Sequence, residues 1–235
     1  MESLKTQLKR LTVPIFMEIA LVMLIGFIDT LMLSRYSDNA VAAVGLDNQI
    51  IALGFLVYQF VSTGAAIVCA QYHGAGLRKR LVQVVGLALI LNAAVGLVVS
   101  AALCLWAEDI VRLMGLREAL VPDGADYLRI TGALSFFQSI AFAFSASLRS
   151  VDRVKAPMAA VAVANAVNAV GDYALIFGHW GCPEMGVAGA AWATAASRVV
   201  ACALIAAIHF RTHIPTFPLA WFRPFPWGEL RNVFK

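Results

Sequence analysis

Six long apolar runs divide the chain, at residues 11–34, 49–72, 81–106, 127–149, 157–178 and 186–210. As helices rising about 1.5 Å per residue, each can cross a hydrocarbon core of about 30 Å. The pattern predicts an all-α, polytopic membrane protein with six transmembrane helices. The first run follows Lys5, Lys9 and Arg10 in the manner of a signal peptide. It is too long for one and lacks a small-residue cleavage site, so it reads as a retained helix. Punctuation between the runs agrees. Pro157 sits at a helix start, where a missing N–H does no harm, and Gly178, Gly181 and Pro183 form a turn after the fifth run. Pro14 is expected in the first turn of the first span. The sixth span opens on small residues, GVAGAAWATAAS, which permit close helix approach.

The polar segments between the runs set orientation. Arg78, Lys79 and Arg80 occupy the second-to-third loop, and Arg149, Arg153 and Lys155 the fourth-to-fifth. Basic residues also cluster before the first run and after the last. The opposite loops hold fewer of them, with Glu108, Asp109, Glu118, Asp123 and Asp126 in one. Cytoplasmic loops carry the excess of Lys and Arg, so both termini are expected in the cytoplasm of a cell whose inner membrane holds the chain. Residues 1–210 then form a six-helix unit. Residues 211–235, with Trp221, Phe222 and Trp227 among prolines, read as a cytoplasmic interfacial linker segment.

Composition supports the membrane reading. Charged residues make up 14% of the chain, against about 25% in soluble domains. The net charge of +4 is spread between the runs and forms no single basic patch, which argues against nucleic acid as a partner. Four cysteines show no metal-ligand spacing. Cys69 and Cys202 read as packing residues, and a disulfide between Cys104 and Cys182 stays open. No HExxH, GxSxG or adjacent GxGD motif appears, so no enzyme and no cofactor is expected.

Two aspartates break the apolar pattern. Asp29 lies in the first span and Asp172 in the fifth. Insertion scales charge at least about 2.5–3.5 kcal/mol for such a group at mid-span, so it usually faces a partner or a wet cavity. Counting along each helix puts Asp29, Asp172, Thr194 and Tyr127 within roughly 12 Å of the outer end of their spans. Asn165, Asn168 and Asp172, spaced by three and four, share one helical stripe. Two carboxylates, an amide and a hydroxyl make a set of hard oxygen donors suited to Na⁺ or to a shared proton. No Lys or Arg is expected at this depth, although Arg129 stands near the rim. Glu18, three turns before Asp29, reads as a carboxylate in a wet inner vestibule or as a second relay group. Plainer readings stand beside these: an interfacial aromatic for Tyr127, a packing hydroxyl for Thr194, an interhelical hydrogen bond for Asn165 and a structural ion pair for each aspartate.

The stretches LTVPIF, GFIDTLMLSRYSDNAVAAVG, AQYHGAG, YLRI, ASLRSVDRVKAPM and NAVNAVGDYALIFG followed by MGVAGAAWATAASR resemble the amino-terminal half of multidrug and toxic compound extrusion (MATE) transporters. They cover essentially residues 8–210. The resemblance implies cation-coupled antiport, with Na⁺ or H⁺ as coupling ion, that exports amphipathic, often cationic, drug-like substrates across the lipid bilayer. It implies a cation site on Asp29, Asn168, Asp172, Tyr127 and Thr194. It also implies twelve helices in two six-helix lobes, of which this chain holds one. A fragment or truncated product is the expectation, with a half-transporter pairing with itself or a second lobe, or a membrane component without transport of its own, as alternatives.

Overall fold

The computed structural model describes residues 4–211, together with Gly228 and Val233. Every regular element among them is helical. The helices are α1 (Leu4–Tyr36), α2 (Asp38–Gly74), α3 (Arg78–Leu105), α4 (Ala107–Leu113), α5 (Val121–Ala133), α6 (Ser135–Ser150), α7 (Lys155–Phe177) and α8 (Gly186–Arg211). Five are long and apolar enough to cross a membrane, and α5 with α6 supplies a sixth, broken span. We call the end where α1 starts and α8 finishes proximal, and the other end distal.

The six expected spans are all present, with three differences. The second helix starts at Asp38, eleven residues before the apolar run at 49. Ser37 caps it, its Oγ accepting the Asn39 N–H at 3.2 Å, so the helix nucleates in polar sequence ahead of the bilayer-facing part. Pro14 lies in the first turn of the span Thr12–Tyr36 as expected, but α1 itself begins earlier, at Leu4, so the proline is inside the helix. The fourth span is two helices that meet at 41° around Leu134.

The break involves no proline. It persists because the backbone groups it frees find partners, as they must in hydrocarbon. The Phe136 N–H donates to Ser100 Oγ at 2.9 Å. The Thr131 carbonyl accepts Arg198 Nη1 at 3.2 Å. Ser135 Oγ shares hydrogen bonds with Ser100 Oγ at 2.9 Å and Tyr58 Oη at 3.1 Å. Three helices therefore close over one break.

Small residues set the tightest contacts. α7 and α8 form the most extensive helix pair. A Cβ on Gly171 would stand 2.9 Å from the Ala193 Cβ, and one on Gly189 would stand 2.5 Å from the Leu175 carbonyl oxygen. Without those Cβ atoms the two backbones approach closely. Gly178, left-handed at φ +68°, ends α7. Two apolar clusters result. One is proximal, around Val82, Val85, Phe144, Leu148 and Ile205, and one is distal, around Val44, Ile51, Val111, Leu128 and Ala191.

All four cysteines are free, Cys104 and Cys182 included. The interfacial reading of the tail falls almost entirely outside the described residues. Val233 is the informative exception: it is buried in the proximal cluster, its carbonyl against Gly64 of α2.

Candidate functional site

The site lies at the distal end between α1, α5, α7 and α8. α7 presents Asn168 and Asp172 one turn apart on its buried face, where Asp172 is 0% exposed. The close packing of Gly171 on Ala193 brings the next residues, Asp172 and Thr194, into the same layer. Asn168 Nδ2 donates to Thr194 Oγ1 at 3.5 Å. Tyr127 of α5 is 2% exposed. Its hydroxyl donates to Asn48 Oδ1 of α2 at 3.4 Å and lies within reach of Thr194.

Across from α7, the Asp29 carboxyl of α1 approaches that of Asp172, each lying in the other's field. Oδ1 of Asp29 and both carboxyl oxygens of Asp172 are buried, and with both acids ionised no donor among the described residues reaches them; a proton on either would be shared between the two carboxyls. Bare carboxylate oxygens at this depth are costly unless a proton or cation shares them. Five side chains drawn from four helices thus meet in one layer: Asp29, Tyr127, Asn168, Asp172 and Thr194. Their donors are oxygens, which suits a hard cation.

Several neighbours differ from the expectation. A cation does stand within electrostatic range of the layer: Arg198 of α8, one turn beyond Thr194. Its field reaches Asp29, Tyr127 and Tyr58, and its guanidinium sits over the Phe55 ring at 5.1 Å. Arg198 is half-buried and follows small residues in WATAASRVV, a stretch that reads as a packing surface. Arg129, the rim candidate, instead bridges Glu108 at 3.4 Å and Asp126 at 3.2 Å on the distal surface. Tyr127 is a core residue and no interfacial aromatic. Glu18 is not a free vestibule carboxylate; its Oε1 accepts Arg149 Nη2 at 2.6 Å, tying α1 to the end of α6. Asn165 makes the interhelical bond, its Nδ2 donating to the Leu21 carbonyl at 2.8 Å. Sequence reasoning missed Asn48 as well, because the apolar run of the second span begins only after it.

Beside the carboxyl pair, Ile28 and Tyr173 turn outward and line a 390 Å³ cavity with Met32, Phe177, His179 and Arg35. Tyr173 and His179 stack there with centroids 4.3 Å apart.

The MatE family model matches residues 14–174. The chain belongs to the MATE transporter family. Among the MATE relatives it resembles, an uncharacterized transporter, YisQ, of Bacillus subtilis is 40% identical over 190 residues, covering 81% of this chain and 42% of the relative. A probable multidrug resistance protein NorM of Thermotoga maritima is 34% identical over 211 residues, covering 88% of this chain and 45% of the relative. The multidrug resistance protein PmpM of Pseudomonas aeruginosa is 31% identical over 189 residues. In fold, the chain superposes on a crystal structure of MATE in the bent conformation with a TM-score of 0.88 at 23% identity, covering 98% of this chain and 51% of that one. An outward-facing multidrug resistance MATE transporter of the MOP superfamily gives 0.86 at 24% identity. The chain thus spans about half the length of the MATE proteins it matches. These relatives are transporters, which points away from an enzyme.

Proposed function

We propose that this chain is the cation-binding lobe of an antiporter that exchanges Na⁺ or H⁺ for amphipathic, often cationic, compounds. The observation that carries the reading is the layer joining Asp29, Asp172, Asn168, Thr194 and Tyr127, with three buried carboxyl oxygens that, once ionised, meet no donor among the described residues. A proton or Na⁺ arriving there joins α1 to α7. Its departure leaves two carboxylates facing each other, and their repulsion favours a different helix arrangement. Work is done by rocking this lobe against a second six-helix lobe. The multidrug resistance names of the relatives support drug-like substrates, and the aromatic cavity beside the pair suits ring-containing ones. The basic loops support a cytoplasmic location for both termini in the cell membrane.

Coupling is tested on the purified chain in lipid nanodiscs. Addition of Na⁺ at fixed pH should give either heat of binding with release of protons or, for an H⁺-only site, no heat but a proton-binding step in a pH titration. Asp172→Asn should abolish whichever signal the wild type shows, and should abolish drug resistance in a pump-deficient host at equal membrane abundance. Full resistance in the Asp172→Asn strain would refute the reading.

A further inference from the structure

α2 buries a helical stripe consisting of Ala40, Ala43, Val44, Ile50, Ile51 and, in the middle of it, Asp47. The spacing of three and four makes this one continuous face. Asp47 is 0% exposed, and neither carboxyl oxygen has a hydrogen-bond partner. It lies against α5 at Gly124: a Cβ there would stand 3.6 Å from Asp47 Oδ2, 3.2 Å from Val111 and 2.8 Å from Leu116. The absent side chain at Gly124 leaves the room that the carboxyl fills, and the rest of that wall is apolar.

Among the described residues, no counter-charge serves it. Arg112 pairs with Glu108 and Glu118, and Arg129 with Glu108 and Asp126. Arg117 bonds Asn39, and Arg198 bonds Thr131. Asn48, the next residue, accepts from Tyr127 and so points into the Asp29–Asp172 layer, while Asp47 does not. Of the other ionisable groups at this end, Asp29 and Arg35 of α1, Tyr36, Asp38, Asp109 of α4 and Asp123, none bonds Asp47. An ionised carboxylate without a protein donor or counter-charge is a state a protein interior avoids, and a neutral acid is the alternative open to it.

We propose that Asp47 is a second proton-binding site of this lobe, separate from the Asp29–Asp172 pair. The proton comes from water at the distal end and returns there, and no other bond changes. The two sites differ in what they accept. The pair is flanked by the Asn168 amide and the Thr194 hydroxyl, which can ligate Na⁺. Asp47 has an apolar wall and no second oxygen ligand bonded to it, so it takes H⁺ alone.

The test is infrared difference spectroscopy of the full chain in nanodiscs, titrated with pH and repeated with Na⁺. Asp47→Asn, close to isosteric, should remove one protonated-carboxyl C=O band and one releasable proton per chain, and the remaining bands should respond to pH and Na⁺ as they do in the wild type. Asp47→Glu should move that band without losing the proton. Asp172→Asn should leave it in place. A carboxyl spectrum unchanged by Asp47→Asn in a monodisperse protein overturns the proposal. So does an Asp47 band that vanishes on adding Na⁺ or in Asp172→Asn. Wild-type carboxyl bands other than that of Asp47 that respond to neither pH nor Na⁺, with the Asp47 band retained, would instead count against the coupling reading alone.

Discussion

Arg198 holds three things together: the open carbonyl of Thr131, the face of Phe55 and the field of Asp29 and Tyr127. Its planar fork suits bonding a carbonyl while stacking on a ring, and a lysine ammonium on a flexible stem does not. Arg198→Met should therefore leave a buried carbonyl bare and destabilise the chain by about 1–3 kcal/mol, seen as a lower thermal midpoint by circular dichroism in detergent. Arg198→Lys should recover only part of it. An unchanged midpoint in the methionine variant would mean that the Thr131 carbonyl has another partner. At this scale the sequence is informative where a charge interrupts a strongly apolar run. Asp29, Asp172 and the Asn168 stripe stand out for that reason. Asp47 does not, because α2 starts well before its apolar run and residues 38–48 look like loop. Arg198 escapes notice among alanines and serines, whose smallness draws the reading toward packing.

Between elements, the approach of α7 to α8 positions the site more than any single hydrogen bond does. Gly171 and Gly189 set that approach, and each sits against backbone or a Cβ that has nowhere to go. Gly171→Val should push the helices apart, cost about 1–3 kcal/mol by overpacking, and weaken cation binding by separating Asn168 from Thr194. A titration of Gly171→Val in nanodiscs checks both effects, and wild-type affinity would show that the layer tolerates the shift. Helix existence and order were readable from apolar length alone, because bilayer thickness fixes how long a run must be. The bend at Leu134 was not readable. Its sequence, TGALS, has no proline, and the partners that make it tolerable, Ser100, Tyr58 and Arg198, come from three other helices far along the chain.

The whole lobe is tied at both ends and carries its polar layer between the ties. At the proximal end Arg149 bridges to Glu18, with side chains 32% and 12% exposed. At the distal end Gly186, at φ +54°, seats against the Tyr36 ring. A double-mutant cycle on Glu18→Gln and Arg149→Met should return a coupling energy of about 0.5–3 kcal/mol; additive single effects would show the bridge to be idle. Orientation is open to a simple check with the native thiols. Cys104 is exposed near the distal end, whereas Cys69 and Cys202 are buried. A membrane-impermeant maleimide should label Cys104 from outside intact cells, and protection until lysis would reverse the topology. The position of Arg198 also bears on biogenesis. Phe55, Tyr58, Tyr127, Thr131 and Asp29 all precede it in the chain, so every group that makes its charge tolerable has left the ribosome before α8 is made. α8 can enter the bilayer with its arginine already solvated by the helices before it, and its insertion becomes a checkpoint on whether those five groups have come together correctly.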